Sequence, residues 1–352
     1  MNGGVDDFEI AGRRIGRDHP PFLIAEMSGN HNGDISRAFA IIEAAVAAGA
    51  DAVKLQTYTA DTLTIDCDKS DFVIKGGLWN GRTLHELYRE AHTPWEWHET
   101  LFRKAREVGI TIFSTPFDET AVDFLESLGA PAYKVASFEA LHLPLLRRIA
   151  RTGKPVLLST GIADRSEIQE AFDTLRSGGS RDILIFHCIS GYPTPPEEAN
   201  LRTIPKLADL FKVQIGLSDH TQDNAVAVAS VAMGAVAIEK HFTLRRDDGG
   251  PDAVFSLEPS ELASLASALR TAWSALGSAN FKCTLSEEGN VAFRRSVYAV
   301  REIAKGETIT EQNIRIIRPG YGLAPREFDR LIGRHARTEI KRGTAMAWDL
   351  VE

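Results

Sequence analysis

The chain has 352 residues, of which 43% are hydrophobic and 25% charged, and its formal net charge is −8. These proportions are typical of a globular protein, and no apolar run reaches the roughly 18 residues that a membrane span requires. The scattered basic residues argue against a nucleic-acid-binding surface, and the N-terminus lacks the apolar segment of a secretory signal. Cys67, Cys188 and Cys283 are too widely spaced to indicate a disulfide framework or a thiolate zinc site. We therefore expect a cytoplasmic protein that acts on a small molecule, with no nucleic-acid or membrane partner.

Eight short apolar runs, each followed by a stretch of helical periodicity, recur along most of the chain. In order they are PFLIAE, DAVKLQ, ITIFST, PAYKVAS, PVLLST, DILIFHC, VQIGLSD and AVAIEKH. Eight alternating strand and helix units predict an α/β fold, a closed (β/α)8 TIM barrel, rather than an open doubly wound sheet. One long insertion, Thr57 to Trp97, follows the second strand, and a loop of that size is usually functional.

The character of the sequence changes at about Ser278, where short segments with turn signals replace the alternating pattern. We predict a TIM-barrel catalytic domain over residues 1–277, a linker over 278–290 and a small β-rich domain over 291–352. Because some 60 residues form only a marginal core, we expect the small domain to dock on another surface.

Polar residues end every predicted strand, and the carboxyl ends of barrel strands are where TIM-barrel enzymes carry their chemistry. In AIEKHFT, the alternation of side chains along a strand places Glu239 and His241 on the inner face and Lys240 on the outer face. His220 and His241 would then converge from neighbouring strands. Two imidazoles with open positions suit a substrate-orienting divalent metal, although such histidines also occur as hydrogen-bonded scaffold.

Burying the charges of Lys54 and Lys134 inside a barrel costs free energy unless an anion or a covalent partner compensates them. They predict an anion pocket, to which Ser159–Gly161 and the following helix N-terminus would add a phosphate cradle. Two alternatives stay open: one lysine pairs with Glu26 or Glu139, or Lys134 or Lys54 is the nucleophile of a Schiff-base aldolase.

Seven motifs in order, IAEMSGNHNG, AVKLQTYT, FSTPFD, AYKVASFE, LLSTGIA, GLSDHT and IEKHFT, resemble the sialic acid synthase family, which condenses phosphoenolpyruvate with amino-sugars. NIRIIRPGYGL and LIGRHARTEIKRG resemble the antifreeze-like (SAF) domain that ends that family's chains. The KGGLW stretch of the insertion is similar to the pseudaminic acid synthase branch, and its Leu78 and Trp79 would pack against a 6-deoxy methyl group. HCIS, where sialate-type members have HCTN, argues against N-acetylmannosamine as acceptor and leaves legionaminic acid synthesis open.

The resemblance implies a role for each motif residue. Glu26, Lys54, Lys134 and His241 would be catalytic, with Glu26 near the sugar aldehyde as a proton-transfer group or a hydroxyl anchor. His220 and His241 would hold Mn²⁺, Mg²⁺ or Co²⁺. Substrate binding would fall to Lys54, Gln56, Thr115, Lys134, Ser137, Ser159 and Ser218 on phosphoenolpyruvate, and to Glu139, Ser190, Tyr192, Asp252 and Arg318 on the sugar or the intermediate.

The family resemblance also implies an assembly and a reaction. Arg318, in RPGYG, matches an arginine that the SAF domain of a second chain extends over the barrel mouth, which implies a domain-swapped homodimer. The expected transferase reaction joins phosphoenolpyruvate to 2,4-diacetamido-2,4,6-trideoxy-L-altrose with C–O cleavage. A non-catalytic sugar-binding or ice-binding protein is the alternative that the antifreeze-like segment raises.

Overall fold

The computed structural model describes residues 5–352. The chain divides into two compact units, one ending at Gly277 and the other beginning at Ser278. Within the described residues, no helix is both long and apolar enough to cross a membrane.

A short antiparallel hairpin precedes the barrel, with strands β1 (Phe8–Ile10) and β2 (Arg13–Ile15). Ala11 and Gly12 turn the chain at φ of 49° and 83°, the left-handed backbone that a two-residue hairpin needs. Apolar residues of both strands pack against the residues that fill the barrel at the strand starts, so the hairpin plugs the end opposite the strand tips. The sequence analysis did not predict this element.

Eight parallel strands close the barrel in chain order, with the last pairing with the first. They are β3 (Phe22–Glu26), β4 (Ala52–Thr57), β5 (Thr111–Pro116), β6 (Tyr133–Val135), β7 (Val156–Ser159), β8 (Ile183–Cys188), β9 (Gln214–Ser218) and β10 (Ala237–His241). The helices are α1 (Ile35–Ala48), α2 (Ala60–Leu63), α3 (Leu84–Ala91), α4 (Trp95–Val108), α5 (Glu119–Ser127), α6 (Leu143–Ala150), α7 (Arg165–Ser177), α8 (Thr203–Phe211), α9 (Ala225–Ala232) and α10 (Pro259–Leu276). The predicted TIM barrel is confirmed.

Side chains alternate between the two faces of each strand, and this alternation fixes what the barrel mouth contains. Phe22, Ile24, Phe113, Leu157 and Phe186 fill the interior, while alternate residues such as Leu23 and Val53 pack outward against the helices. The inward series continues upward into polar residues at each strand tip. The interior therefore changes from an apolar floor to a polar mouth within a few residues of every strand.

The predicted insertion lies between β4 and α4 and contains α2 and α3. Between these two helices, Val73 pairs with Thr83 across a hairpin-like turn. The tip of that turn, Lys75 to Gly81, carries the KGGLWNG stretch.

The second unit has its own small core around the strands β11 (Ser296–Ala299) and β12 (Ile314–Ile317), which pair antiparallel. One short helix, α11 (Phe328–Leu331), completes its regular structure, and Leu285–Phe293 forms a 3-10 helix that overlaps the stretch predicted as a linker. A small β-rich domain thus follows the barrel, as predicted.

Candidate active site

Two lysines and two glutamates form a buried charge cluster at the barrel mouth. The Lys54 ammonium lies 2.9 Å from Glu239 Oε1 and 3.1 Å from Glu26 Oε2. Lys134 lies 3.4 Å from the same Glu239 oxygen, and the hydroxyl of Ser218 donates to it at 3.3 Å. One carboxylate oxygen therefore serves both lysines. The alternative that a lysine pairs with Glu26 holds for Lys54, but its closest carboxylate is Glu239.

The pKa values of the cluster follow from burial set against these pairings. Burial opposes ionisation of Glu239, but Lys134 and Lys54 outweigh it and lower the Glu239 pKa to about 2. For Glu26, burial dominates over Lys54 and raises the pKa to about 7. Burial also lowers the pKa of Lys134, whereas the two carboxylates raise that of Lys54 despite its burial. Of the two lysines, Lys134 is the one that burial leaves less fully compensated.

A chain of hydrogen bonds leads from this cluster to the loop after β10. The Gln56 amide donates to Glu26 Oε1 at 2.9 Å and to Ser28 Oγ at 3.0 Å. The Ser28 hydroxyl donates in turn to the buried carboxylate of Asp252, which also accepts from the Gly29 amide at 3.4 Å. Ser28 adopts φ of 47°, in the left-handed region that a non-glycine residue rarely occupies.

Ser28 is not among the site residues expected from the sequence. The SGN run after the first strand is a turn signal, but no pattern in it shows which way the hydroxyl points. Its strained backbone at a buried position marks it as a residue that the site holds in place.

Three loops meet closely beside Lys134. A Cβ added to Gly161 would stand 2.1 Å from the Cβ of Ser137 and 2.8 Å from Ser190 Oγ, so only glycine fits between them. Ser159 and Thr115 lie nearby on the inner faces of β7 and β5, and the hydroxyl oxygen of each is buried without a hydrogen-bond partner. Buried hydroxyls without a partner next to a buried ammonium indicate a place prepared for an anion.

The helix N-terminus expected to help this cradle is already occupied. The Asp164 side chain accepts from the backbone amides of Ser166 at 2.7 Å and Glu167 at 2.9 Å, so it caps α7 itself. These two amides are therefore not free to bind phosphate, and a contribution of the α7 dipole stays a prediction. What remains is the set of loop and strand-tip hydroxyls together with Lys134.

Glu139 follows β6 on a 3-10 helix that begins at Ser137. Its Oε2 is buried without a hydrogen-bond partner, and burial raises the pKa of this carboxyl to about 7. A buried carboxyl oxygen without a partner is poised to accept a hydrogen bond from a ligand, or to donate one when protonated.

His220 and His241 meet as predicted, with ring centroids 5.4 Å apart. Nδ1 of His220 lies 2.9 Å from the Ile189 carbonyl and so carries the proton, which leaves Nε2 with its lone pair. Nδ1 of His241 is buried without a partner, and burial together with the neighbouring His220 lowers the pKa of this ring far below its ordinary value. Both imidazoles thus present an unused nitrogen.

These two side chains fit an open metal site. Over residues 5–352, no group of three or more His, Cys, Asp or Glu side chains is arranged to hold a metal. A metal held by His220 and His241 would have its other positions open to substrate and water. Burial works against a charge on His220, but the Cys188 thiol and the Ile189 carbonyl outweigh it and raise the His220 pKa. Of the two imidazoles, His220 is therefore the one whose surroundings favour the protonated form, whereas those of His241 favour the neutral form.

Lys240 and His187 point away from the site. The Lys240 ammonium lies on the outer face, 3.0 Å from Asp219 Oδ2 and 3.1 Å from the Asp223 carbonyl, as expected of a structural ion pair. Nε2 of His187 lies 2.7 Å from the Ala199 carbonyl. Tyr192 faces inward, with its ring centroid 4.5 Å from that of His220.

Arg318 belongs to the second unit, where it directly follows β12 and is exposed. The other predicted site residues all belong to the barrel unit. The role implied for Arg318 concerns a second chain and stays a prediction.

The chain is similar to known proteins over nearly its whole length. Residues 41–281 match the model of the NeuB family, and residues 294–352 match that of the SAF domain. The chain is 43% identical to the pseudaminic acid synthase of Campylobacter jejuni, an alignment that covers 94% of this chain and 96% of that protein. It is 36% identical to the N,N'-diacetyllegionaminic acid synthase of Legionella pneumophila over 94% of each chain.

A solved structure resembles the whole chain. The spore coat polysaccharide biosynthesis protein SpsE of Bacillus subtilis superposes with a TM-score of 0.68 at 38% identity and covers 99% of both chains. The similarity to this solved structure therefore extends over both the barrel unit and the second unit of the chain.

Proposed function

The chain belongs to the NeuB family, and we propose that it is a pseudaminic acid synthase. It would condense phosphoenolpyruvate with 2,4-diacetamido-2,4,6-trideoxy-L-altrose and water to give pseudaminic acid and phosphate. The observation that carries this choice is the 43% identity to a pseudaminic acid synthase over nearly the full length of both chains, against 36% to a legionaminic acid synthase. Relatives of this kind are transferases that join phosphoenolpyruvate to sugars.

Phosphoenolpyruvate would lie beside Lys134, where the buried hydroxyls of Thr115 and Ser159 have no hydrogen-bond partner and could donate to an anion. Thr115, Ser137 and Ser159 would donate to its phosphate and carboxylate. Lys54 and Lys134 would supply the positive charge, released in part from their shared carboxylate Glu239. This pocket supports an anionic substrate because it gathers hydroxyl and ammonium donors, while the Glu239 oxygen that faces both lysines is already paired with them.

The acceptor would lie on the other side of the mouth, between Glu26, Asp252 and the imidazole pair. A divalent metal held by His220 and His241 would polarise the sugar aldehyde as a Lewis acid. Asp252, fixed by Ser28 and Gly29, would accept hydrogen bonds from sugar hydroxyls. Glu26, with a pKa of about 7, is suited to giving a proton to the oxygen of the former aldehyde at neutral pH.

The chemistry then needs two single bonds to form and one to break, while the proton that water gives up balances the one taken by the oxygen of the former aldehyde. C3 of phosphoenolpyruvate attacks the aldehyde carbon, water adds at C2, and the C2–O bond to phosphate cleaves, leaving a nine-carbon 2-keto acid. Lys134 and Lys54 stabilise the negative charge on the departing phosphate. No lysine adduct forms, and Lys54 in particular is held as an ammonium by two carboxylates.

We further propose that two chains complete each other's sites in the cytoplasm. Large apolar side chains are exposed on the loops at the strand tips: Leu78, Phe138, Leu141, Ile162 and Val254. The second unit exposes Phe281, Leu285, Phe293 and Tyr321. From Ser278 onward the chain carries a net charge of +3, whereas the part before it carries −11. Exposed apolar side chains at the mouth of an acidic barrel unit, and others on a basic second unit, are complementary in character, which supports docking of each SAF domain on a partner's barrel.

Complementation between inactive chains tests the dimer. Mixing a His241→Ala chain with an Arg318→Ala chain is expected to restore activity, because mixed dimers contain one site with both residues intact. Two His241→Ala preparations mixed in the same way provide the control. No recovery with the first pair would show that each chain completes its own site.

The proposed reaction is tested by phosphate release from phosphoenolpyruvate with three acceptors at equal concentration. We expect the altrose derivative to give the highest kcat/KM, ahead of the legionaminic acid precursor and of N-acetylmannosamine. EDTA should abolish turnover and Mn²⁺, Mg²⁺ or Co²⁺ should restore it. A lysine adduct trapped by borohydride, with turnover unaffected by EDTA, would instead establish the Schiff-base aldolase, for which the lowered pKa of Lys134 is the favouring observation.

A further inference from the structure

Trp79 fastens the insertion to the loop that follows β10. It lies in the turn closed by the pairing of Val73 with Thr83, where the Ile74 amide donates to the Arg82 carbonyl at 2.9 Å. From there its indole Nε1 donates to the Pro251 carbonyl at 3.0 Å. Since these two segments are 172 residues apart in the chain, this hydrogen bond is a long-range tie across the barrel mouth.

The indole also continues a row of aromatic rings that ends at the imidazole pair. The Trp79 and Tyr192 rings are 6.0 Å apart, and the Tyr192 ring is 4.5 Å from His220 and 5.2 Å from Phe255. Such distances are those of packed aromatic pairs. The row forms one wall of the mouth, with the predicted metal ligands at its inner end and Trp79 at its outer end.

The chemistry of the outer end is apolar. The only polar atom of the indole, Nε1, is already committed to Pro251, so the rest of the ring offers carbon atoms alone. Trp79 is half-buried, and its partner Pro251 directly precedes Asp252, the carboxylate assigned to the sugar. A sugar held by Asp252 with its aldehyde at the imidazoles would extend its far end along this wall.

We propose that Trp79 is a specificity-determining residue that selects an acceptor with a methyl group, rather than a hydroxymethyl group, at the end remote from the aldehyde. This inference rests on the proposed function for the orientation of the sugar. A hydroxyl placed against the indole would lose its water without gaining a partner, whereas a methyl group would gain contact area. Apolar pockets discriminate groups of this size by roughly 10- to 200-fold in kcat/KM.

The test compares two acceptors that differ only at C6, the 6-deoxy altrose derivative and its 6-hydroxy counterpart. In Trp79→Ala the ratio of their kcat/KM values should fall at least about tenfold toward one, with the KM for phosphoenolpyruvate unchanged. Trp79→Phe keeps a ring but loses the hydrogen bond to Pro251, so it should keep most of the discrimination.

Trp273 offers a matched control because its indole Nε1 also donates to a backbone carbonyl, that of Arg17, at 3.0 Å. It lies on α10, outside the site, and Trp273→Phe should leave the acceptor ratio unchanged. Melting temperatures of all variants identify any loss of folded protein. Should Trp79→Ala not fold, Trp79→Leu, which removes the ring but keeps an apolar side chain, takes its place.

The two possible failures are distinguishable. If the parent enzyme prefers N-acetylmannosamine, the proposed function is wrong, and the same comparison is made with N-acetylmannosamine and its 6-deoxy form. If removing the indole lowers kcat/KM by the same factor for both acceptors of a pair that differs only at C6, Trp79 supports the loop without discriminating between the acceptors. The inference is then overturned.

Discussion

Replacing Glu239 by glutamine tests the charge cluster on which both halves of the proposed site depend. The substitution removes the negative charge that Lys54 and Lys134 share at 2.9 and 3.4 Å, while the side chain keeps its shape. Glu26 remains as a partner for Lys54, at 3.1 Å, but Lys134 loses its closest carboxylate. All of these groups are nearly fully buried, so solvent screens the lost interaction only weakly.

Two considerations give the same magnitude. Breaking a buried ion pair by removing one partner costs about 3–5 kcal/mol. The Glu239 pKa is about 2 in the folded chain against 4.5 ordinarily, so its ionisation contributes about 3 kcal/mol at neutral pH. Because the folded pKa is the lower one, this contribution is present above about pH 4.5 and is lost as the pH falls toward 2. We expect Glu239→Gln to lower the free energy of unfolding by about 3 kcal/mol.

The assay is thermal or urea unfolding at pH 7 with and without phosphate. A phosphate anion in the pocket would replace the missing carboxylate, so phosphate should raise the melting temperature of Glu239→Gln more than that of the parent. Glu126→Gln is the matched control, since Glu126 also holds a lysine, Lys154 at 2.6 Å, but both side chains are about 30% exposed. Its effect should stay below about 1 kcal/mol and be indifferent to phosphate. If the two variants behave alike, Glu239 does not hold the lysine pair together.

Three further outcomes follow from particular contacts. Glu139→Gln should flatten the pH dependence of the free energy of unfolding. Because the Glu139 pKa is raised to about 7, the folded chain binds more protons than the unfolded chain between about pH 4.5 and 7. The parent protein therefore loses stability as the pH rises through this range. At pH 8 the variant should be the more stable by about 3 kcal/mol, as urea titration would measure. Ser28→Ala and Ser28→Gly should both lower kcat/KM about 10- to 100-fold, since each removes the donor to Asp252; full activity in the glycine variant would reduce Ser28 to a backbone role. Lys240→Met should cost about 3–5 kcal/mol of stability without changing the KM for phosphoenolpyruvate.

The barrel was predictable because strand and helix periodicities differ and repeat eight times. The same alternation correctly placed Glu239 and His241 inside and Lys240 outside, where the structure pairs it with Asp219. Register then brought His220 beside His241, since both lie at tips of neighbouring strands. Each of these inferences needs only the backbone direction.

The features that could not be predicted are contacts that depend on the positions of the polar ends of side chains. The sharing of Glu239 by two lysines is set by the barrel radius and by side-chain length, which no sequence period encodes. The α7 cap shows the same limit: the expected phosphate cradle needs free amides at the helix N-terminus, but the Asp164 side chain accepts from two of them. The strands Phe8–Ile10 and Arg13–Ile15 are too short for alternation to reveal them.

The fate of the bridging oxygen of phosphoenolpyruvate tests the proposed reaction most directly. Phosphoenolpyruvate carrying ¹⁸O between C2 and phosphorus is incubated with the altrose derivative, and the products are examined by ³¹P NMR and mass spectrometry. The proposed function predicts that the label leaves with phosphate, because the C–O bond breaks, and that a nine-carbon keto acid forms in equal amount. Unlabelled phosphate, or phosphate without the nine-carbon acid, would contradict it.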